Sequence, residues 1–149
     1  MTRINSGIPV KNLTDEHLLA EHREIKRMPY YVKRILKGEI KKPDIPPSIC
    51  LGKGHVKFFV DKGEFTLNRY LEIKRECENR NYTITDFSSN WKDLPQDYMK
   101  TYEPSEVDRV LLMDRIEERI FGSKLASFHY RGQVISKEEA IGLLRKKVV

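Results

Sequence analysis

The fold class that the sequence predicts is all-α: a single compact domain of three main helices with long loops, plus a short C-terminal helix, spanning residues 1–149. Three observations predict it. Apolar residues recur at helical spacing in three stretches, near 14–38, 63–80 and 105–122. Helix start and stop signals fence those stretches: Thr14 before Asp15-Glu16, Ser105 with Asp108, and Gly38 and Gly122 at the ends. The connections between them carry proline and glycine and hold no lasting period. A chain of this length buries a core without needing staples. Residues 133–149 read as a C-terminal extension of the same domain.

Residues 4–13 read as an extended connector. The first helix starts after Thr14 and runs to about Gly38, with Pro29 expected to kink or break it near Met28. Leu18, Ile25, Met28, Val32, Ile35 and Leu36 form its core stripe. Glu16, His17, Ala20, Arg23, Glu24 and Arg27 fall on a separate arc roughly 120° wide. Such an arc is either a solvated face laced with ion pairs or, through Arg23 and Arg27, two guanidinium forks suited to consecutive phosphates.

Residues 38–55 form a Pro/Gly-rich loop, in which Gly52-Lys53-Gly54-His55 could approach an anion but lacks P-loop spacing. The stretch from Val56 to Phe65 reads either as a hairpin turning at Lys62-Gly63 or as an approach to the second helix. That helix covers about Gly63 to Arg80, with Leu67, Tyr70, Leu71 and Cys77 on one face. Residues 81–104 make a long surface connection, a kind that often carries function. In the third helix Val107, Val110, Leu111, Met113, Ile116, Ile120 and Phe121 supply the apolar side, and Arg115 and Arg119 repeat the spacing of Arg23 and Arg27. Phe128-His129-Tyr130-Arg131-Gly132 interleaves aromatic and cationic residues, to stack on bases or to anchor the tail. Ser136 to Lys147 reads as a short capped amphipathic helix.

The composition narrows the function classes. No run approaches the eighteen or so apolar residues of a membrane span, and the N-terminus has no secretory h-region, so a soluble cytoplasmic protein is expected. Cys50 and Cys77 have no ligand or redox spacing and read as small buried groups. The net charge of +6 favours polyanions as partners, although a solvated lysine-rich surface has the same balance.

Several separated blocks then resemble one family. These are Met1-Thr2-Arg3-Ile4-Asn5, the Asp15–Arg27 block with its Arg23-Glu24, Leu51-Gly-Lys-Gly-His-Val-Lys-Phe-Phe-Val-Asp-Lys62, Asp93-Leu-Pro-Gln-Asp97 and Arg115-Ile-Glu-Glu-Arg-Ile120. In that order, over residues 1 to about 132, they resemble the bacteriophage pyrimidine-dimer DNA glycosylases, ultraviolet-repair endonucleases that also act as abasic-site lyases. The resemblance implies a helical domain with few or no strands, which settles Val56–Phe65 against a hairpin.

It also implies a catalytic pair. Thr2, freed of Met1, would supply an α-amine whose pKa of about 7.7–8 leaves a useful neutral fraction at physiological pH. Glu24 matches the family's catalytic carboxylate. Arg3, Arg23, Arg27, Arg115 and Arg119 match positions that grip phosphates of a kinked duplex, His17 matches a residue close to the scissile site, and Tyr130 is the DNA-facing aromatic residue of the tail. The implied partner is double-stranded DNA containing ultraviolet lesions, with a base flipped out of the stack. No metal or other cofactor, membrane or obligate protein partner is implied. The expected state is a monomer in the cytoplasm, that of an infected bacterial host if the chain is phage-encoded. Glu16, His22 and Lys26 stand where the best-known relative has glutamine, tyrosine and proline, and Ser127 and Arg131 where it has aromatic rings. Those departures leave two alternatives: a glycosylase for a different damaged or modified base, or a non-catalytic DNA-binding protein on the same scaffold.

Overall fold

The computed structural model describes residues 2–147; Met1, whose removal is expected, lies outside them. Among the described residues are six α-helices and one two-stranded antiparallel sheet. In chain order they are α1 (Asp15–Ile25), α2 (Arg27–Leu36), α3 (Lys53–Phe59), α4 (Gly63–Asn79), α5 (Glu106–Phe121), β1 (Ser127–Tyr130), β2 (Gln133–Ser136) and α6 (Lys137–Leu144). The fold is therefore mainly helical, and the all-α expectation is corrected by the hairpin β1–β2.

Thr14 caps α1 as expected, its hydroxyl accepting from the His17 backbone N–H at 3.2 Å. The helix turns at Lys26, two residues before the expected kink. Pro29 then sits in the first turn of α2, where its missing N–H has no intrahelical partner to lose. Gly38, at φ 76°, ends α2, and the Glu39 N–H reaches back to the Arg34 carbonyl at 3.0 Å. The ambiguous stretch Val56–Phe65 holds most of α3 and the start of α4, so no hairpin forms there, and α3 begins at Lys53, inside the expected 38–55 loop. Gly63 opens α4 under a close crossing: an added Cβ would lie 2.5 Å from the Tyr98 carbonyl oxygen.

Helix α1 packs on α4, burying Leu18 and Ile25 with Tyr70, Ile73 and Cys77, and α5 adds Leu112, Ile116 and Ile120. Not every apolar residue assigned to a core face reaches it. Leu36, Leu71, Val107, Val110 and Phe121 are exposed, because each helix buries a stripe narrower than its apolar arc. The 81–104 connection is fastened by aromatic residues: Trp91 Nε1 donates to Thr66 Oγ1 at 3.0 Å, and Tyr70 Oη accepts from the Phe87 N–H at 2.7 Å.

The hairpin has a two-residue turn, Arg131 (φ 50°) and Gly132 (φ 81°), between the paired Tyr130 and Gln133. Two left-handed residues in succession match the twist of the flanking strands. The turn docks on Asp15, whose carboxylate accepts from the Arg131 and Gly132 N–H groups at 3.0 and 2.9 Å. The same carboxylate takes Arg80 Nη1 at 2.9 Å and the Tyr82 hydroxyl at 2.6 Å. Arg80 also reaches Glu76 at 2.8 Å and the carbonyls of Leu13, Val10 and Lys11. With the Arg80 and Asp15 side chains 0% and 2% exposed, this cluster joins α1, α4 and the hairpin away from water. Replacing Arg80 by methionine leaves two buried carboxylates short of their cation. The expected loss is about 3–5 kcal/mol of stability, read from urea-unfolding midpoints. A change under about 1 kcal/mol would show that the cluster is dispensable.

Candidate active site

The N-terminal segment enters no helix or sheet, so its backbone N–H groups need side-chain acceptors. Three consecutive residues find them. The Arg3 N–H donates to Glu24 Oε1 at 2.9 Å, the Ile4 N–H to His55 Nε2 at 3.0 Å, and the Asn5 N–H to Glu21 Oε2 at 3.3 Å. Ile4, between those bonds, and Ile8, beyond them, sink fully into the core and anchor the segment. Thr2, also buried, is one peptide before the amide held by Glu24.

Glu21 is itself held in a buried network. Arg69 donates to it through Nε at 2.8 Å and Nη2 at 3.1 Å, and the Asn5 amide donates at 2.8 Å. Arg69 also reaches the Ile8 carbonyl at 2.6 Å. Arg115 Nη2 donates to Asn5 Oδ1 at 3.3 Å, which ties α5 to the segment. Glu21, Asn5, Arg69 and His55 were not singled out as site residues by the sequence. The signal for Glu21 was its angle on α1, at the border between the polar arc and the core stripe.

Beside the segment, α1 and α5 bound a narrow cleft of about 160 Å³. Glu16, His17, Ala20, Glu21 and Glu24 line it from α1, Arg3 and Asn5 from the N-terminus, and Arg115, Ile116 and Arg119 from α5. Of the residues singled out by sequence, the fold thus brings Arg3, His17, Glu24, Arg115 and Arg119 around one space. It does not bring Arg23, Arg27 or Tyr130 there. The cleft-facing arc of α1 runs from Glu16 to Glu21, about 140° wide and centred away from Arg23. Arg27, beyond the turn at Lys26, belongs to α2. Both arginines are exposed. The Tyr130 hydroxyl donates to the Lys11 carbonyl at 2.8 Å and its ring lies 4.5 Å from the Arg80 guanidinium, so it anchors the hairpin.

Three arginines and three glutamates line the cleft, and the arginines repel one another. Arg115 is 7% exposed and its Nε has no hydrogen-bond partner among the described residues. Burial, then the charges of Arg119 and Arg3, pull its guanidinium down to about 10. Burial and Arg3 lower Arg119 as well. An anion placed among these three would relieve the repulsion and supply the missing acceptor. The Arg3 guanidinium meets Glu24 Oε2 at 3.5 Å, so the carboxylate receives both the backbone and the side chain of Arg3.

At the other end of the cleft, burial followed by the Arg3 charge holds His17 below its ordinary value. Its Nδ1 lies 2.6 Å from Thr14 Oγ1 and its ring stacks on Phe128 at 5.6 Å between centroids. Glu16, which stands where the best-known relative has glutamine, is engaged by the hairpin. It accepts the His129 N–H at 2.6 Å and pairs with His129 Nδ1 at 2.8 Å.

His55 is built differently from the loop anion site its surroundings suggested. It is 1% exposed, with Nδ1 3.0 Å from the Cys50 carbonyl oxygen and Nε2 accepting from Ile4. Burial, then the Arg115 charge, lowers it to about 4. Its folded value is thus below the ordinary 6.5, so the unfolded chain takes up the proton first as pH falls. The contribution is complete above pH 6.5 and is lost on acidification towards pH 4, by about 2 kcal/mol at pH 5. Urea midpoints measured from pH 7 to 4.5 are expected to fall less steeply for His55→Gln. Parallel curves for the two proteins would remove His55 from the acid sensitivity.

Among the described residues, no group of three or more His, Cys, Asp or Glu side chains is placed to hold a metal ion, and no helix is long and apolar enough to cross a membrane. The sequence profile of pyrimidine dimer DNA glycosylases matches residues 1–90. That span includes the pinned N-terminal segment, all of α1 and His55, whereas Arg115, Arg119 and the hairpin lie beyond it. With the match covering more than half of the 149 residues, and the matched segments meeting at one cleft, the chain belongs to the pyrimidine dimer DNA glycosylase family.

Proposed function

We propose that this DNA glycosylase also nicks the strand it has excised from, using the α-amine of Thr2 as nucleophile and Glu24 as the carboxylate that serves it. The observation that supports this reading is the Arg3 N–H to Glu24 bond, which fixes a buried carboxylate one peptide from Thr2, at a cleft containing three guanidiniums. In the reaction the neutral amine attacks C1′ of the damaged nucleotide. The C1′–N bond breaks and its electron pair leaves with the base. The nitrogen gives up one proton, O4′ gains one, and the nitrogen lone pair breaks the C1′–O4′ bond, which opens the ring to an iminium between Thr2 and the sugar. That cation acidifies the C2′ proton; its removal expels the 3′ phosphate by breaking the C3′–O bond. Glu24 is suited to stabilise positive charge at the sugar and to carry the transferred proton. The substrate is a pyrimidine dimer in duplex DNA, with the opposing base turned out of the stack so that the sugar can be reached.

Borohydride trapping tests the reading directly, with irradiated, abasic and undamaged duplexes and protein lacking Met1. A covalent adduct mapped to Thr2 on irradiated DNA is expected. An adduct only on abasic DNA would keep the lyase and point to a different base. None on any duplex would leave a DNA-binding protein without the imine chemistry.

Arg3, Arg115 and Arg119 form the inner phosphate grip in this proposal, and the exposed Arg23 and Arg27 contact the duplex farther from the cleft. Arg119→Ala tests the grip without breaking a buried contact. The slope of log K against log salt should become shallower by about 0.9, the share of one phosphate. An unchanged slope would take Arg119 out of the interface.

A further inference from the structure

Of the three acceptors that hold residues 3–5, Glu24 belongs to the proposed chemistry and Glu21 is compensated by Arg69. His55, from α3, has no part in either. We infer that His55 is a positioning residue for the Thr2 amine: its bare Nε2, by accepting the Ile4 N–H, fixes the segment that carries the nucleophile. The inference rests on the reading of Thr2 given above.

The imidazole is set from both sides. The Cys50 carbonyl can only accept, so Nδ1 carries the proton, and Nε2 is left bare as the Ile4 N–H requires. The ring cannot drift, since it is enclosed and meets Phe59 edge-on at 5.2 Å between centroids. Ile4 is in turn buried and lies two residues from Thr2, so displacement of its amide moves the nucleophile. Arg3, the residue between them, is anchored to Glu24, so the same displacement would also alter the spacing of amine and carboxylate. Misplacement of a reacting group by about 1 Å can cost about 100-fold in rate. His55 would act through the backbone alone, since the cleft is lined by other side chains.

The test compares wild type, His55→Phe and His55→Gln in single-turnover cyanoborohydride trapping on an irradiated duplex, with duplex affinity and thermal melting measured in parallel. His55→Phe keeps the ring and removes the acceptor. Once shown to be folded at the assay temperature, it should bind DNA within about threefold of wild type and trap about 100-fold more slowly. The glutamine variant, whose amide can accept from Ile4 and donate to Cys50, should recover to within about tenfold of wild type. Equal trapping rates for phenylalanine and wild type would overturn the inference. So would affinity and trapping falling together, which is the mark of general loosening. Wild type that gives no adduct would overturn the amine reading and this inference with it, whereas an adduct on wild type and on His55→Phe alike overturns only the role of His55. If the phenylalanine variant does not fold, the ¹⁵N shifts of His55 in wild type decide: a bare Nε2 is expected, and a protonated Nε2 would overturn the proposal.

Discussion

Glu24→Gln is expected to bind dimer-containing duplex as well as wild type does, or a few-fold better, and to lose nearly all nicking. The substitution keeps the shape of the side chain, and the glutamine oxygen can still accept the Arg3 N–H that Glu24 Oε1 receives at 2.9 Å. Removed is the one negative charge facing the Arg3 guanidinium at 3.5 Å within the Arg3, Arg115 and Arg119 group. A more positive cleft holds a polyanion no less tightly. The chemistry suffers in two ways. A carboxamide cannot take a proton, which forfeits a contribution of about 10²–10⁴-fold, and it offers a developing cation at the sugar a weaker partner. Single-turnover nicking is expected to fall by at least about 10³-fold while the dissociation constant stays within about fivefold. Nicking within tenfold of wild type would show that another group does this work, and the residue to try next would be His17, at the other end of the cleft.

The sequence disclosed the helices where a helix is a local matter. Thr14, Ser105 and Ser136 all cap as their patterns require, because a cap needs only its own first turn. The family blocks likewise singled out Glu24 and Arg3 without geometry, and the fold brings the two into contact. Hidden were the features set by long-range contact. The hairpin escaped because Arg131-Gly132 is a weaker turn signal than Asn-Gly, and its register is secured by Asp15, more than a hundred residues earlier. Tyr130 was read from chemistry suited to DNA, and the fold gives it an internal partner, the Lys11 carbonyl. Helical angle alone placed Arg23 on the arc of Glu24. The orientation of α1, fixed by Leu18 and Ile25 against α4, turns the cleft towards Glu21 instead. His55 lay in a glycine-flanked motif that invited an anion, and only the arrival of Ile4 from 51 residues away reveals its use.

Blocking the N-terminus should be as damaging as losing Glu24, with a different signature. Acetylated Thr2 has no nucleophilic lone pair, yet every charge lining the cleft remains. Retained Met1 keeps an amine but moves it along the chain by up to about 3.3–3.6 Å, one residue beyond the amides held by Glu24, His55 and Glu21. Either change should lower nicking of the dimer duplex by at least about 10³-fold, since an amine out of position forfeits the effective concentration that makes its attack fast. The melting temperature should move by less than about 2 °C, because the bonds that seat residues 3–5 do not use the terminus. Mass spectrometry of the intact protein defines which N-terminus is present, and alkaline treatment of the product separates the two chemical steps. If both excision and nicking are lost, the amine performs both. If excision continues and only nicking is lost, water displaces the base and Thr2 acts on the abasic sugar afterwards. Full nicking by acetylated protein would leave Thr2 without a role, and the position of Glu24 beside the Arg3 amide would then require a lysine or a water as the attacking group.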